Sequence, residues 1–278
     1  MIKIISDTST LYSVNEGEKK GIVINPLSVI INNKTYREFE DIDSKEFIQL
    51  INENHMPSSS QPSIGNTVEL YEKYKDYEIL NITMADGLSG TYSSACTAKD
   101  MVENNEKIHI LNSKTLCGNQ RYLVEKSIEL VKEGYKIEEI IRILEDKVSS
   151  SKSFLIPNDF EYLRRGGRLT AIAAKLGSIL KFVPIITQTE DGMRLEKYGL
   201  KRTMNSAVDE IIRCFKDMNI DSTFKIYIGH GQYLEMAEKI KERIQKSFAD
   251  VEIEIIELGP VFITQGGPKA ISIQVIKK

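Results

Sequence analysis

Cysteine is scarce in this sequence, and tryptophan is absent. Of the 278 residues three are cysteines, Cys96, Cys117 and Cys214, and no two of them form a C-x-x-C pair. A small, odd number of scattered cysteines argues against a disulfide framework and against a zinc knuckle. Cysteines without disulfide partners are typical of a reducing compartment, so we expect a cytoplasmic location.

Long hydrophobic runs and an excess of positive charge are also missing. The most apolar stretch, Thr170 to Ile186, contains Lys175 and Lys181, and no run approaches the roughly 20 apolar residues of a membrane span. The chain turns acidic at Asp7, too soon for a secretory signal. The formal net charge of −3 gives no basic footprint for nucleic acid. We therefore expect neither stable membrane insertion nor a nucleic-acid partner.

The motifs of several common enzymes are absent or incomplete. There is no H-E-x-x-H and no G-x-x-x-x-G-K-[ST], so neither a zinc protease nor a P-loop enzyme is indicated. The segment Gly87 to Thr91 resembles a G-x-S-x-G nucleophile elbow, but threonine replaces its last glycine. The three histidines, His55, His109 and His230, have no spacing that would make one of them the base for Ser89. We expect no metal and no cofactor beyond a bound ligand.

What the sequence does contain is an alternation of short apolar runs with helical segments. In the first half, runs such as Ile79 to Thr83 are followed by stretches with helical spacing. This alternation is typical of an α/β fold, and it predicts a first domain, residues 1–152, with a mainly parallel sheet between helix layers. The Ser-rich change of composition at residues 149–153 marks the expected boundary.

The second half differs because it contains a predicted hairpin. Val183 to Gln188 and Met193 to Tyr198 are strand-like and flank Glu190-Asp191-Gly192, a turn sequence. A hairpin within strand–helix alternation indicates a mixed sheet with helices in a second α/β domain, residues 153–278. We expect a ligand cleft between the two domains. The segment Phe262 to Pro268 receives no predicted element.

A glycine-interrupted junction of strand and helix predicts an anion site. The predicted strand Ile79 to Thr83 is followed by Gly87 and Gly90, and a helix begins near Thr91. The start of a helix has free N–H groups and the positive end of the helix dipole. Ser89 and Thr91 add hydroxyls there, so we expect the headgroup of a small acidic ligand at this position.

Two further hydroxyl clusters are predicted near the carboxyl edge of the sheet. Pro57 to Ser63 is interpreted as a loop whose Ser63 caps a helix starting at Ile64. Ser6 to Thr10, which includes Asp7 and Thr8, follows the first strand and is a second candidate rim for a ligand. The simpler interpretation of that cluster is that Asp7 or Ser9 caps the next segment.

Glycines also end a predicted helix in the second half. Asn158 is expected to cap a short helix, Asp159 to Arg165, which stops at Gly166-Gly167. Thr170 is expected to cap the next helix, Ala171 to about Leu180.

Arginines flank these glycines. A guanidinium beside a helix break is suited to binding a carboxylate or phosphate through two hydrogen bonds. Arg168, which follows the glycines, is the functional candidate. Arg164 and Arg165 are interpreted as charges that complement the helix dipole.

Taken in order, these motifs resemble the DegV family of bacterial fatty-acid-binding proteins from end to end. The resemblance is carried by the following segments: Ser6 to Thr10, Pro26-Leu27 with Tyr36, Ser60 to Ser63, Leu88 to Ala95, Tyr162 to Arg168, and Gly259 to Val261. It implies two α/β domains that enclose a fatty acid, with the acyl chain buried and the carboxylate bound by hydroxyls. By this resemblance Ser59, where threonine is usual, and Ser89 are the carboxylate donors.

In some members the bound acid is presented to a separate kinase that makes an acyl phosphate for lipid synthesis. Gln265 stands where the family usually has a histidine, so a hydrogen-bond donor is kept but a positive charge is not.

A carrier of this kind needs no elaborate headgroup chemistry. Burial contributes roughly 0.8 kcal/mol per methylene, while the buried carboxylate must be paired with donors. Besides Ser59 and Ser89, we expect Ser60 and the N–H groups of Gly90 and Thr91 to contribute. The residues proposed to line the acyl chain are Ile186, Phe262 and Ile263.

The leading hypothesis is therefore a non-catalytic carrier of a palmitate-like fatty acid, with a fatty-acid kinase as a further partner in phospholipid metabolism. Two enzyme hypotheses stay open, a serine esterase with Ser89 as nucleophile and a phosphoryl-transfer enzyme that uses the same loops. A lipid-sensing regulator is a third alternative.

Overall fold

The computed structural model describes residues 1–53, 55–174 and 182–278, and the strands within them form three sheets. The strands are β1 Ile2–Asp7, β2 Ile22–Asn25, β3 Ser28–Ile31, β4 Lys34–Arg37, β5 Ser58–Ser60, β6 Glu78–Thr83, β7 Ile108–Asn112, β8 Lys152–Ile156, β9 Val183–Gln188, β10 Leu195–Lys201, β11 Phe224–His230, β12 Glu252–Glu257 and β13 Ile271–Lys277. The helices are α1 Val14–Lys20, α2 Ser44–Asn52, α3 Ile64–Lys73, α4 Thr91–Asp100, α5 Cys117–Lys132, α6 Ile137–Ser149, α7 Phe160–Gly166, α8 Ala171–Ala174, α9 Met204–Asp217, α10 Leu234–Gln245 and α11 Pro260–Gly266.

The first sheet is parallel throughout, in the order β2-β1-β6-β7, and it is called the parallel sheet below. Its strands are apolar on both faces because both faces are covered. Ile4 and Leu80 point into the cluster formed with α5 and α6. Ile5 and Ile79 point to the opposite side, where Tyr71 of α3 covers them. The predicted parallel sheet between helix layers is confirmed.

The second sheet is mixed, in the order β10-β9-β8-β13-β11-β12, and it is called the mixed sheet. Only its β11–β12 pair is parallel. Phe154, Ile226 and Ile273 pack with Phe215 of α9 and Ile240 of α10. The predicted mixed sheet and its β9–β10 hairpin are confirmed.

Helices α5 and α6 connect the two sheets. Their cluster includes Leu123 and Leu144 together with Tyr227 and Ile276 of the mixed sheet. Gly118 lets the start of α5 lie directly on β11, since a Cβ atom there would overlap the Tyr227 ring. The expected domain division between residues 152 and 153 falls just inside β8, which begins at Lys152.

The third sheet is small, in the order β4-β3-β5, and it corrects one prediction. Asn32 and Asn33, with φ of 50° and 57°, make the turn of the β3–β4 hairpin. The interpretation of Pro57 to Ser63 as a loop is wrong, because β5 within it pairs antiparallel with β3. A partner strand has overridden the local Ser/Pro composition. The predicted Ser63 cap is confirmed, since its hydroxyl accepts from the N–H of Asn66 at 3.1 Å.

Smaller differences concern helix ends. The predicted Asn158 cap is wrong, because Asp159 caps α7 by accepting from the N–H of Glu161 at 2.9 Å. The segment Phe262 to Pro268, which receives no predicted element, contains most of α11, a helix that begins two residues earlier at Pro260. Of the predicted helix 171–180, α8 covers the first four residues, and residues 175–180 lie outside the described part of the chain. Within the described ranges, no helix has both the length and the apolar character needed to cross a membrane.

Candidate functional site

The loop from β6 to α4 forms one wall of a cavity. Ser89 lies in this loop, 2.8 Å from the Thr91 hydroxyl, and its oxygen accepts from the N–H of Thr91 at 3.3 Å. Gly90 is the N-cap residue of α4 and lies against the Gln61 amide. The glycine-rich turn therefore places the Ser89 hydroxyl at the start of α4.

The second wall comes from β5 and α11, which are distant in sequence. Ser59 of β5 accepts a hydrogen bond from Gln265 Nε2 at 3.3 Å. Pairing of β5 with β3 fixes the position of Ser59, and α11 carries Gln265 to it. Gln265 approaches the backbone of Gly166 so closely that a Cβ atom there would overlap its Oε1.

Arg168 supplies a positive charge to the same region. Gly167, with φ of 73°, ends α7 and directs the chain towards the β6–α4 loop. The Arg168 Nε donates to the carbonyl of Leu88 at 3.2 Å, and its Nη1 donates to the carbonyl of Gly166. Burial lowers the pKa of Arg168 from its ordinary value, and the positive charge of Arg194 makes a smaller contribution in the same direction.

The other two arginines are not part of this wall. Arg164 and Arg165 are exposed and pair with Glu161 at 2.6 and 2.8 Å.

These walls enclose one cavity with about 960 Å³ of atom-free space, its open mouth included. A set of polar side chains lines it: Ser59, Ser60, Gln61, Ser89, Arg168 and Gln265. Most of the remaining lining is apolar: Leu27, Met84, Leu88, Leu116, Phe154, Leu155, Leu163, Ile186, Leu195, Leu258, Val261 and Phe262. A second polar group comes from the mixed sheet and the start of α5: Cys117, Ser153, Thr187, Gln188, Ser272 and Gln274.

The structure brings most, but not all, of the candidate residues together. Of the proposed acyl-chain residues, Ile186 and Phe262 line the cavity. Ile263 points the other way, into the cluster that contains Val29. Its neighbour Phe262 faces the cavity because adjacent residues of a helix point in different directions. Thr91 lies beside a separate small polar cavity.

Asp7 and Thr8 belong to the interior rather than to the large cavity. Asp7 caps the turn after β1, accepting from the N–H groups of Ser9 at 2.9 Å and Met84 at 3.1 Å. Gln120 Nε2 donates to the same carboxyl at 3.3 Å, and burial raises the pKa of Asp7. This geometry agrees with the simpler capping interpretation.

A buried carboxyl that sequence reasoning missed joins this region to α11. Glu38 is fully buried. Its carboxyl accepts hydrogen bonds from the Thr8 hydroxyl and, at 2.8 Å, from the N–H of Val261. Burial raises the pKa of Glu38 to about 8. Gly259 leaves the space it needs, since a Cβ atom there would overlap the Glu38 carboxyl.

Two cavity residues of β13 were also missed, although a signal for them exists. Ile271 to Val275 alternates apolar and polar residues, and such alternation puts Ser272 and Gln274 on one face of a strand. Both line the cavity.

Ser89 has no catalytic base beside it in the described part of the chain. Its side-chain partner is Thr91, and the cavity lining there includes no histidine. His230 is buried, which lowers its pKa, and its Nδ1 accepts from the N–H of Tyr233 at 3.2 Å. Among the described residues, no three His, Cys, Asp or Glu side chains are grouped to hold a metal ion.

A sequence model described as "Uncharacterised protein, DegV family" matches residues 1–278. The chain belongs to the DegV family. A DegV domain-containing protein of Halalkalibacterium halodurans is 32% identical over 278 residues, which cover 98% of this chain and 97% of that protein.

Solved DegV structures have the same fold. The crystal structure of DegV, a fatty acid binding protein from Bacillus subtilis, is 30% identical with a TM-score of 0.87, covering 100% of this chain and 99% of that one. A DegV lipid binding protein from Thermotoga maritima is 25% identical with a TM-score of 0.86, covering 99% and 98%. The α/β architecture of this chain is therefore that of the DegV family.

Proposed function

We propose that this DegV-family protein binds long-chain fatty acids without chemical conversion. The observation that carries the proposal is a single cavity that joins a polar cluster to an extensive set of apolar side chains, called the apolar wall. Ser59, Ser89, Gln265 and Arg168 form the cluster. Their hydroxyl, amide and guanidinium donors suit a carboxylate, and the wall suits an acyl chain. The fatty-acid-binding DegV of Bacillus subtilis, with the same fold, supports this assignment.

The energetics favour a carrier. Burying the methylenes of a C16 chain at roughly 0.8 kcal/mol each supplies ample affinity. Burying a carboxylate is costly unless hydrogen-bond donors replace the water molecules that it loses. The polar cluster supplies such donors. Arg168 adds a charge-assisted donor.

Binding is a better fit than hydrolysis or phosphoryl transfer. A serine nucleophile needs a base within hydrogen-bond reach, and the described lining contains no histidine near Ser89.

Transfer of the bound acid to a separate fatty-acid kinase, in the cytoplasm and for phospholipid synthesis, is a further part of the proposal. It is tested by adding such a kinase with ATP and measuring acyl phosphate.

Native mass spectrometry of the protein purified from bacteria tests the binding proposal. We expect a mass increment that matches a C14–C18 acid. The increment should be lost in the double variant Ser59→Ala/Ser89→Ala and kept in Ser93→Ala, a matched control at an exposed serine of α4. Protein that is consistently free of ligand and also fails to take up added palmitate would overturn the proposal.

A further inference from the structure

The small polar cavity beside Thr91 is distinct from the large cavity. It has about 240 Å³ of atom-free space, any opening included, and nine residues line it. Seven of the nine are polar, and all nine are buried. β2 contributes Asn25 to the lining, β6 contributes Asn81, and α4 contributes Ser94. Polar groups buried in this way need hydrogen-bond partners.

The Asn25 amide has a fixed orientation. The Thr67 hydroxyl donates its single proton to the carbonyl of Ser63 at 3.0 Å, so it can only accept from a second partner. That partner is Asn25 Nδ2, at 3.0 Å. Asn25 Oδ1 lies at the other end of the amide, and none of the described residues donates a hydrogen bond to it.

The Asn81 amide is oriented in the same way. The Tyr71 hydroxyl donates to the carbonyl of Ala95 at 3.5 Å and therefore accepts from Asn81 Nδ2, at 2.8 Å. Within the described ranges, Asn81 Oδ1 has no donor either. Two amide oxygens thus lack a partner in one cavity.

Ser94 adds a donor. Its oxygen accepts from Gln61 Nε2 at 3.4 Å, and its own proton goes to no atom in the part of the chain that the structure describes. Asn25, Asn81 and Ser94 are only 6%, 5% and 8% exposed. Polar groups that are buried without partners are costly.

One water molecule satisfies all three groups. An internal water typically forms about three hydrogen bonds, and here it donates to the two amide oxygens and accepts from Ser94. A cation is a poorer fit, because Asp7, the one carboxyl in the lining, already accepts four hydrogen bonds.

We propose that the small polar cavity binds one internal water molecule, held by Asn25, Asn81 and Ser94, and that this water positions the start of α4. Ser94 lies in the first turn of α4. The hydrogen bonds of the water to Asn25 and Asn81 join that turn to β2 and β6. Ser89 lies just before the same turn, so the water supports the wall that presents Ser89 to a ligand. This last step rests on the proposed fatty-acid binding.

A crystal structure of the wild type tests the site, with crystals grown in potassium acetate and then soaked in thallium(I) acetate. We expect a density peak within hydrogen-bond distance of Asn25 Oδ1, Asn81 Oδ1 and Ser94 Oγ, without an anomalous signal from thallium. An anomalous peak would show a cation site, and a map without a peak would show that no water is bound. Either result overturns the proposal.

Ser94→Val replaces the hydroxyl by methyl groups that take the position of the water. We expect the density peak to disappear and the Tm to fall by several degrees, and the palmitate affinity, measured well below the Tm, to fall severalfold. Ser93→Val, the same substitution on the exposed face of α4, is the matched control and should keep both values. Ser94→Ala removes only the donor, so it should keep the water and lower the Tm less.

The contact of Ser94 with Gln61 is tested separately. In the Gln61→Ala background, which lacks the hydrogen bond from Gln61 Nε2, Ser94→Val should lower the palmitate affinity by the same factor. Equal Tm values of Ser94→Val and Ser93→Val would overturn the proposal. A lower Tm with unchanged affinity would overturn the positioning of Ser89 and leave fatty-acid binding intact. If the wild type binds no palmitate, the proposed function fails, and the density map still decides the water site.

Discussion

Ser89 and Gln265 reach the polar end of the cavity from separate elements, and each depends on a particular neighbour. Ser89 lies in the loop that enters α4 and shares hydrogen bonds with Thr91. Gln265 donates to Ser59 and lies against Gly166. At the scale of single residues, the site is a set of donors held by backbone turns.

Removal of the Ser89 hydroxyl should weaken fatty-acid binding. A hydrogen bond to a carboxylate contributes about 1.5–3 kcal/mol, so Ser89→Ala should lower the affinity for palmitate by about ten- to a hundredfold. Calorimetric titration measures this change, with Ser93→Ala as the matched control. Equal affinities of Ser89→Ala and the wild type would contradict the assigned role.

A methyl group at Gly166 should displace Gln265 without unfolding the protein. The overlapping atom is Oε1, the far end of a flexible side chain, so Gly166→Ala should turn the amide away from Ser59. We expect a severalfold loss of palmitate affinity with little change in Tm, read by titration and thermal melting. Gly65→Ala, where the nearest atom lies 4.0 Å away, is the control that should change neither. A large fall in Tm for Gly166→Ala with unchanged affinity would refute the positioning role.

Single residues were predictable from sequence where a local motif fixed them. The Gly-rich turn identified the Ser89 region, and the glycines after α7 identified Arg168. The direction of Ile263 was not predictable, because it depends on how α11 packs on the small sheet. The role of Glu38 was hidden for the same reason, since its partners Thr8 and Val261 are distant in sequence.

At the scale of elements, β5 and α11 bring the second wall of the cavity into place. β5 has only three residues and exists because β3 offers a partner. α11 starts at Pro260 and is joined to the turn after β1 through Glu38 and Thr8. Neither element has a strong local pattern, so sequence reasoning missed both while it found the longer helices.

The Glu38 carboxyl should make stability depend on pH. Burial, with a smaller contribution from the charge of Asp7, raises its pKa from the ordinary 4.5 to about 8 in the folded protein. The folded state therefore keeps this proton while the unfolded chain loses it. The stabilisation is fully present below pH 4.5 and is lost as the pH rises to about 8, by an amount on the order of a few kcal/mol.

Urea unfolding of the wild type and Glu38→Gln between pH 5 and pH 8.5 measures this loss. We expect the free energy of unfolding to fall more steeply with pH in the wild type, because glutamine does not titrate. Asp7 titrates in both proteins, so the difference between the two curves isolates Glu38. Glu40→Gln, at an exposed neighbour, should follow the wild type. Parallel curves for the wild type and Glu38→Gln would show that Glu38 keeps its ordinary pKa.

At the scale of the whole molecule, two sheets share one pair of helices. Strand–helix alternation predicted the parallel sheet, and a hairpin predicted the mixed sheet. The packing of α5 and α6 on both sheets was not predictable, because it depends on surfaces such as the Gly118–Tyr227 contact. The cavity lies where this packing brings the start of α5 over the mixed sheet.

A ligand that contacts elements from both halves of the chain should stabilise the folded state. At a free palmitate concentration of 100 Kd the gain is about 2.7 kcal/mol, which should raise the Tm by about 5 °C or more. Thermal melting with and without palmitate measures the shift. The double variant Ser59→Ala/Ser89→Ala, at the same palmitate concentration, should show a clearly smaller shift. If palmitate did not raise the Tm of the wild type, this would contradict specific binding to the folded state.

The most direct test of the account is ¹³C NMR of palmitate labelled at the carboxyl carbon and bound to the delipidated protein. The account predicts one bound carboxyl resonance, displaced from that of free palmitate, which shifts or disappears in Ser59→Ala/Ser89→Ala and is unchanged in Ser93→Ala. A bound resonance at the free position that is identical in all three proteins would show that these serines do not hold the carboxylate.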